Sequence, residues 1–336
     1  MSNLKKLRRA ERLFHKQLIV SLVSRYDEFL GEFLNIVLNI HPEWLKISEK
    51  TLTYKELIEM KSIETAISGI INKEIDNLLR GSHEEQIAFI DGKLKTGIKE
   101  HFNKLAEFLE ITECRNLLAH TGGKVSQQYM DRCFNFGYCH EEKPKIGESL
   151  LVDGDYFLSS FSLCFEIGLR ITQASYRRLF PKELEEADKS LNHLAIKFLS
   201  CAEWDLAERV CDFDLSIPDA LRSSDDNEYK YYALINRAIA QKSQEKDIEP
   251  GLAGIPWAAF HPKYSMCLHI LKDEYEAAKK LMLSPAVVEE VTKDGFRTWP
   301  VFRVFRDSNE FKEAYLELFG EKYILDSEKD QPDEGK

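Results

Sequence analysis

Apolar residues recur along the first half of the chain at the three-to-four-residue spacing of a buried helix face. From Leu18 to Leu38 the stripe runs through Leu22, Val23, Tyr26, Leu30 and Leu34 with polar residues between, which predicts one long amphipathic helix. Pro42 closes it, because the residue before a proline is pushed out of the helical region. Residues 62–79 repeat the pattern through Ile63, Ile67, Ile71 and Ile75, and Gly81 stops them. Ser82 and Glu85 have the spacing of a capping box that opens the next helix. Ile87, Ile90, Leu94, Ile98, Phe102 and Leu105 predict that helix, with Gly92 and Gly97 inside it. A fourth helix contains Arg115 and ends at Gly122-Gly123, and a fifth covers Phe157 to Leu179. Residues 140–154 lack periodicity and are expected to form an exposed loop. Residues 1–182 therefore predict an α-helical bundle.

The second half carries a different signal. Glu203-Trp204-x-x-Ala207, Glu274-Tyr275-x-x-Ala278 and Glu310-Phe311-x-x-Ala314 place an acid, an aromatic and an alanine at matching offsets. The spacings fit helical hairpins of about 34–36 residues with one degenerate unit. Small alanines let paired helices approach while the aromatic fills the groove beside them. Residues 183–325 are thus expected to stack as a tetratricopeptide-like helical repeat domain, interrupted by a loop at Glu249–Pro262. Residues 326–336 are acidic and polar and are expected to be a disordered tail. The expected fold class is all-α throughout.

Composition narrows the picture. The 336 residues include only 16 Gly and 10 Pro, against a turn-rich β architecture. No run of about 18 apolar residues exists to span a membrane, so no membrane partner is expected. The amino terminus lacks an apolar signal segment. Cys114, Cys133, Cys139, Cys164, Cys201, Cys211 and Cys267 are scattered and odd in number, reading as reduced thiols of a cytoplasmic protein. Residues 1–180 are neutral, whereas 181–336 hold the whole net charge of −11. A nucleic-acid-binding surface belongs in the neutral half, where phosphate meets less repulsion. Its candidate element is Lys5, Lys6, Arg8, Arg9, Arg12 and Lys16; a solvated helix start is the alternative reading.

The chemistry concentrates at Glu113-Cys114-Arg115-Asn116-Leu117-Leu118-Ala119-His120-Thr121-Gly122-Gly123. Cutting RNA without a metal needs a base for the 2′-hydroxyl, a cation for the phosphorane charge and an acid for the leaving 5′-oxygen. Histidine can serve as base or acid, and arginine holds phosphoryl oxygens through its forked donors. His120 falls in the last turn of its helix, at the carbonyl end of the dipole. Asn116 lies one turn earlier on the same face, with Glu113 nearby. Arg115 is five residues from His120, about 140° around an ideal helix. Convergence therefore requires the reach of the arginine, an earlier helix end, or two copies meeting across a dimer. An arginine and histidine that merely cap and pack the helix are the alternative reading.

Arg115-Asn116-Leu117-Leu118-Ala119-His120 resembles the Arg-polar-x3–5-His motif of HEPN domains (higher eukaryotes and prokaryotes nucleotide-binding), over roughly residues 10–180. The resemblance implies a metal-independent endoribonuclease built as a homodimer, with no cofactor. Arg115 would stabilise the transition state, His120 would transfer protons, and Asn116 would fill the polar position, with Glu113 supporting. Such domains occur in toxins and in abortive-infection and other phage-defence proteins. An RNA substrate is implied, and residues 183–325 would engage a protein partner such as an antitoxin, a sensor or a phage component. The family also has non-catalytic members, so a dimerising scaffold or sensor with a helical-repeat interaction domain is the alternative. Cys133, Cys139 and His140, like His261, Cys267 and His269, lack metal-site spacing, and no metal site is expected. Asp212 and Asp214 read as solvated residues of a surface turn.

Overall fold

The computed structural model describes residues 3–45, 62–140, 144–223 and 228–324. Among them the secondary structure is helical, apart from one isolated bridge between Lys124 and Ser149. The chain divides into two compact units, Met1–Phe180 and Pro181–Lys336.

In the first unit, α1 (Asn3–Ile40) starts well before the predicted stripe and takes in the basic segment, where Leu7, Leu13 and Phe14 are exposed. It buries Ile19, Val23, Tyr26, Leu30, Leu34 and Leu38 on one face. The helix stops before Pro42, which opens a short 3-10 turn. Ser62 caps α2 (Ile63–Leu79), its Oγ accepting from the Thr65 amide. The capping box at Ser82 is complete: Ser82 Oγ accepts from the Glu85 amide at 3.3 Å, and Glu85 Oε2 accepts from the Ser82 amide at 2.8 Å. It starts α3 (His83–Leu94).

That helix does not reach Leu105, as the apolar spacing predicts. Lys95 and Gly97 both turn left-handed, with φ of 51° and 71°. Asp91 then accepts from the Thr96 hydroxyl and from the amides of Ile98 and Lys99. The carboxylate captures amide donors of the next turn, and glycine supplies the positive φ at low cost. The result is a single turn, α4 (Ile98–His101), followed by α5 (Leu105–Thr121).

Helix α6 (Gln127–Asn135) follows, and α7 (Gly154–Leu179) closes the unit. α1 packs against α2, α5 and α7. With α3 they share a core that joins Val23, Leu30, Leu34, Ile90, Phe108 and Ile167. Two smaller clusters fix the end of α5. Ile19, Cys114, Leu118 and Val152 hold it to α1, while Leu117, Val125, Tyr129 and Cys133 dock α6 beside it. The expected loop at 140–154 is exposed from 145 to 149 but buries Val152. Its backbone pairs with the segment after α5, through Val125 N–H to Glu148 O at 2.9 Å and Leu150 N–H to Gly123 O at 2.8 Å. Glu141-Glu142-Lys143 lie outside the described residues.

The second unit begins with α8 (Leu184–Ser200), α9 (Trp204–Ser216) and α10 (Glu228–Ser243). It continues with α11 (Glu249–Leu252), α12 (Pro262–Leu271), α13 (Tyr275–Met282), α14 (Pro285–Glu290), α15 (Lys293–Thr298) and α16 (Asn309–Phe319). Each acid-aromatic-alanine motif falls at a helix start, and Ala207, Ala278 and Ala314 are fully buried. The turns before α9 and α13 match. A left-handed residue (Ala202, Asp273) precedes the acid, whose amide bonds back across the turn: Glu203 N–H to Phe198 O at 2.9 Å, and Glu274 N–H to His269 O at 2.8 Å. The turn after α10 repeats this at Glu245 and Lys246 without the aromatic. Before α16 the turn differs, with Ser308 capping the helix.

Two expectations fail in this unit. Asp212 and Asp214 lie within α9 rather than in a turn; Asp214 is buried and paired with Arg222 Nη1 at 2.9 Å. Residues 249–262 are not an open loop. α11 and a 3-10 turn at Trp257–Ala259 bury Leu252 and Trp257, whose indole donates to Leu252 O at 3.0 Å. The predicted tail at 326–336 lies outside the described residues.

Gly122 and Gly123 separate two effects. Both have positive φ, 65° and 88°, but only at Gly123 would a Cβ meet Leu118 and Lys16, each at 2.9 Å. Gly122→Ala should cost about 1 kcal/mol from conformation alone, and Gly123→Ala about 2–3 kcal/mol from conformation plus overlap. Urea unfolding midpoints check this; equal losses would contradict it.

Candidate functional site

The site lies where α5 ends. Thr121 donates its hydroxyl to Leu117 O at 2.8 Å and Lys124 O at 3.0 Å, tightening the last turn. Gly122 and Gly123 both turn their amides back to Leu117 O. Lys16 reaches over from α1 and donates to Gly122 O at 3.1 Å and to Ser149 Oγ at 2.9 Å. A cation on the free carbonyls of a helix end is stabilising. Lys16 is therefore committed to this cap.

Beside this turn, α5 and α6 enclose a cleft of about 300 Å³, lined by Glu113, Asn116, His120, Ser126, Tyr129 and Arg132 among others. His120 is exposed at its rim. Glu113 is almost buried and accepts from Arg132 Nη1 at 2.5 Å. Three of the four predicted residues, Glu113, Asn116 and His120, thus share one space.

Arg115 faces elsewhere. Its Nη2 donates to Asp27 Oδ2 at 2.5 Å, and Asp27 Oδ1 lies 2.8 Å from His83 Nε2. The rings of Tyr26 and Phe108 flank His83. Asn116 connects the two sides, lining the cleft while its Oδ1 accepts from Arg115 Nη1 at 3.1 Å. Of the basic segment, Lys6 and Arg12 are exposed on α1; the side chains of Lys5, Arg8 and Arg9 lie outside those described.

Beneath the cleft, Glu110 is buried between two phenols. Tyr129 donates to its Oε1 and Tyr156 to its Oε2, the latter at 2.8 Å. Burial raises the Glu110 carboxyl above its usual range, and the two tyrosine bonds offset part of that. Burial also raises the neighbouring Cys114 thiol, and pushes Cys133 up to about 12. These cysteines are packing residues rather than nucleophiles. All seven cysteines are unpaired.

Arg132 and Tyr129 on α6, and Asp27 and His83 opposite Arg115, join the site from outside the motif. Ser126 as an N-cap with Tyr129 and Cys133 one turn apart was a readable helix signal for α6. Nothing local marked Asp27 or His83, whose partners are 88 and 56 residues away. Among the described residues no group of three His, Cys, Asp or Glu is placed to hold a metal ion, and no helix is long and apolar enough to cross a membrane. Comparison with protein-family models, with curated proteins and with solved structures found no match to this chain.

The raised Glu110 carboxyl makes stability depend on pH. A folded-state value above the unfolded one stabilises in acid, and that contribution is lost as pH rises through the folded value. Wild type should therefore lose stability relative to Glu110→Gln as pH rises through and above the ordinary glutamate range. Urea midpoints of both proteins across that range check it. Parallel pH profiles would contradict it.

Proposed function

We propose that the chain is a metal-independent endoribonuclease of HEPN type, acting as a homodimer. The observation that carries this reading is the shared cleft at the end of α5. An exposed His120, Asn116 and the cation Arg132 meet there, and Arg115 is hydrogen-bonded to Asn116 from the other side. In this chemistry His120 takes the proton of an RNA 2′-hydroxyl or returns one to the leaving 5′-oxygen. The 2′-oxygen forms a bond to phosphorus and the 5′-oxygen bond breaks, leaving a 2′,3′-cyclic phosphate. Arg115 stabilises the phosphorane charge. The one imidazole lining each cleft cannot hold both proton roles at once, so a second copy supplies the other.

Under this reading the protein is a growth-arrest toxin or phage-defence effector working in the cytoplasm. Residues 183–325 form a tetratricopeptide-like module for an antitoxin, a sensor or a phage component.

One observation favours a non-catalytic scaffold instead. The Arg115 guanidinium is already ion-paired to Asp27, and a phosphate must compete with that carboxylate.

Purified wild type and His120→Ala on mixed single-stranded RNA, with chelator present, separate the two. The nuclease reading predicts cleavage by wild type and a loss of at least about 100-fold in the variant, with the oligomeric state and melting temperature unchanged. Equal cleavage by both proteins would sink His120 as the proton-transfer residue.

A further inference from the structure

The second unit contains a groove of about 460 Å³ that the nuclease reading does not use. Its floor is one face of α8, where Asn192, Ile196 and Ser200 follow at four-residue intervals. Tyr232 from α10 and Trp299 after α15 form one wall, and Glu228 and Glu290 stand beside them. Lys263 from α12 is nearly buried among them.

The charges decide what the groove can take. The Lys263 ammonium donates to Glu228 Oε1 at 2.7 Å, Tyr232 Oη at 3.0 Å and Glu290 Oε2 at 3.2 Å. An ammonium has three donors, and all are engaged. It also lies over the rings of Tyr232 and Tyr264, 5.3 and 5.2 Å from their centroids. Nothing remains on it for an anionic ligand. The carboxylates are different. Each uses only one oxygen toward Lys263, and their side chains are 42% and 49% exposed. Two carboxylates against one ammonium leave the groove negative, within residues 181–336 that carry the whole net charge of −11. The Tyr232 and Trp299 rings meet edge to face at 85° with centroids 6.0 Å apart, and the ring faces not taken by that contact or by Lys263 can attract a second cation.

We propose that this groove binds a basic segment of a partner protein, seating an arginine or lysine side chain in the Tyr232–Trp299 corner against Glu228 and Glu290. The length of the floor favours a chain over a free amine. From Asn192 to Ser200 the helix rises about 12 Å, enough for three or four extended residues. The net negative charge of the unit would speed encounter with such a segment and make binding salt-sensitive. The inference rests on the second unit alone and does not depend on the nuclease reading.

The test captures an N-acetylated octapeptide library, degenerate at every position, on the immobilised full chain, and sequences what is retained. A selected peptide is then measured by calorimetry beside its citrulline and acetyl-lysine analogue and beside spermidine. The proposal expects enrichment of arginine or lysine, loss of binding in the neutral analogue, and about tenfold weaker binding to Glu290→Gln, the size of one charge-assisted contact. In that variant Lys263 keeps Glu228, so the unit should remain folded, and its melting temperature checks this. Retention without enrichment of basic residues, equal binding of the neutral analogue, unchanged affinity in a folded Glu290→Gln, or binding of spermidine but no peptide would each overturn it.

Discussion

The Asp27 carboxylate fixes what α5 can present. It stands on α1 and accepts from Arg115 on α5 with one oxygen while the other meets His83 on α3. A half-buried pair of this kind gains little by itself, but losing one member strands the others away from water. Arg115 is therefore held toward α1 and α3. Lys16, from the same face of α1, caps the carbonyl end of α5 two turns further on. With α5 tied to α1 at both places, His120 is left at the rim of the opposite cleft. The arginine and histidine of one motif look in different directions.

That division gives the proposed chemistry its requirements. Within one chain the cation that shares the cleft with His120 is Arg132, and Glu113 already neutralises it. Arg115 reaches the cleft only through Asn116. A phosphodiester in the cleft must therefore draw Arg115 from Asp27 or meet the arginine of a second copy. Either event couples substrate binding to a rearrangement of the Asp27 ion pair. The presence of one histidine in each cleft points the same way.

Much of the helical framework was legible because local rules write it. The capping box at Ser82, the stop at Pro42, the glycine pair after α5 and the buried alanines of the second unit each follow from a few neighbouring residues. The break between α3 and α4 was not legible from apolar spacing, because Ile90, Leu94, Ile98 and Phe102 stay in phase across it. Asp91 and the left-handed Lys95 and Gly97 decide it, and their effect depends on a hydrogen-bond pattern that the spacing does not encode. Asp214 escapes local rules for a related reason: its partner Arg222 lies beyond the end of α9, so its burial is a tertiary fact. At the site, Glu113, Asn116 and His120 share a cleft because they share a helix face. Arg132 joins them only because α6 folds back, and Asp27 and His83 meet Arg115 only because three helices pack.

In the proposed reaction RNA is cut by attack of its own 2′-oxygen, with His120 moving the proton. End-group analysis of the wild-type product, on an RNA and on the same strand carrying a 2′-deoxy nucleotide at each cut position, tests this most directly. A nuclease of this kind leaves 2′,3′-cyclic phosphate ends on the RNA and does not cleave at the deoxy positions. Cleavage at those positions, or 3′-hydroxyl ends, would contradict it.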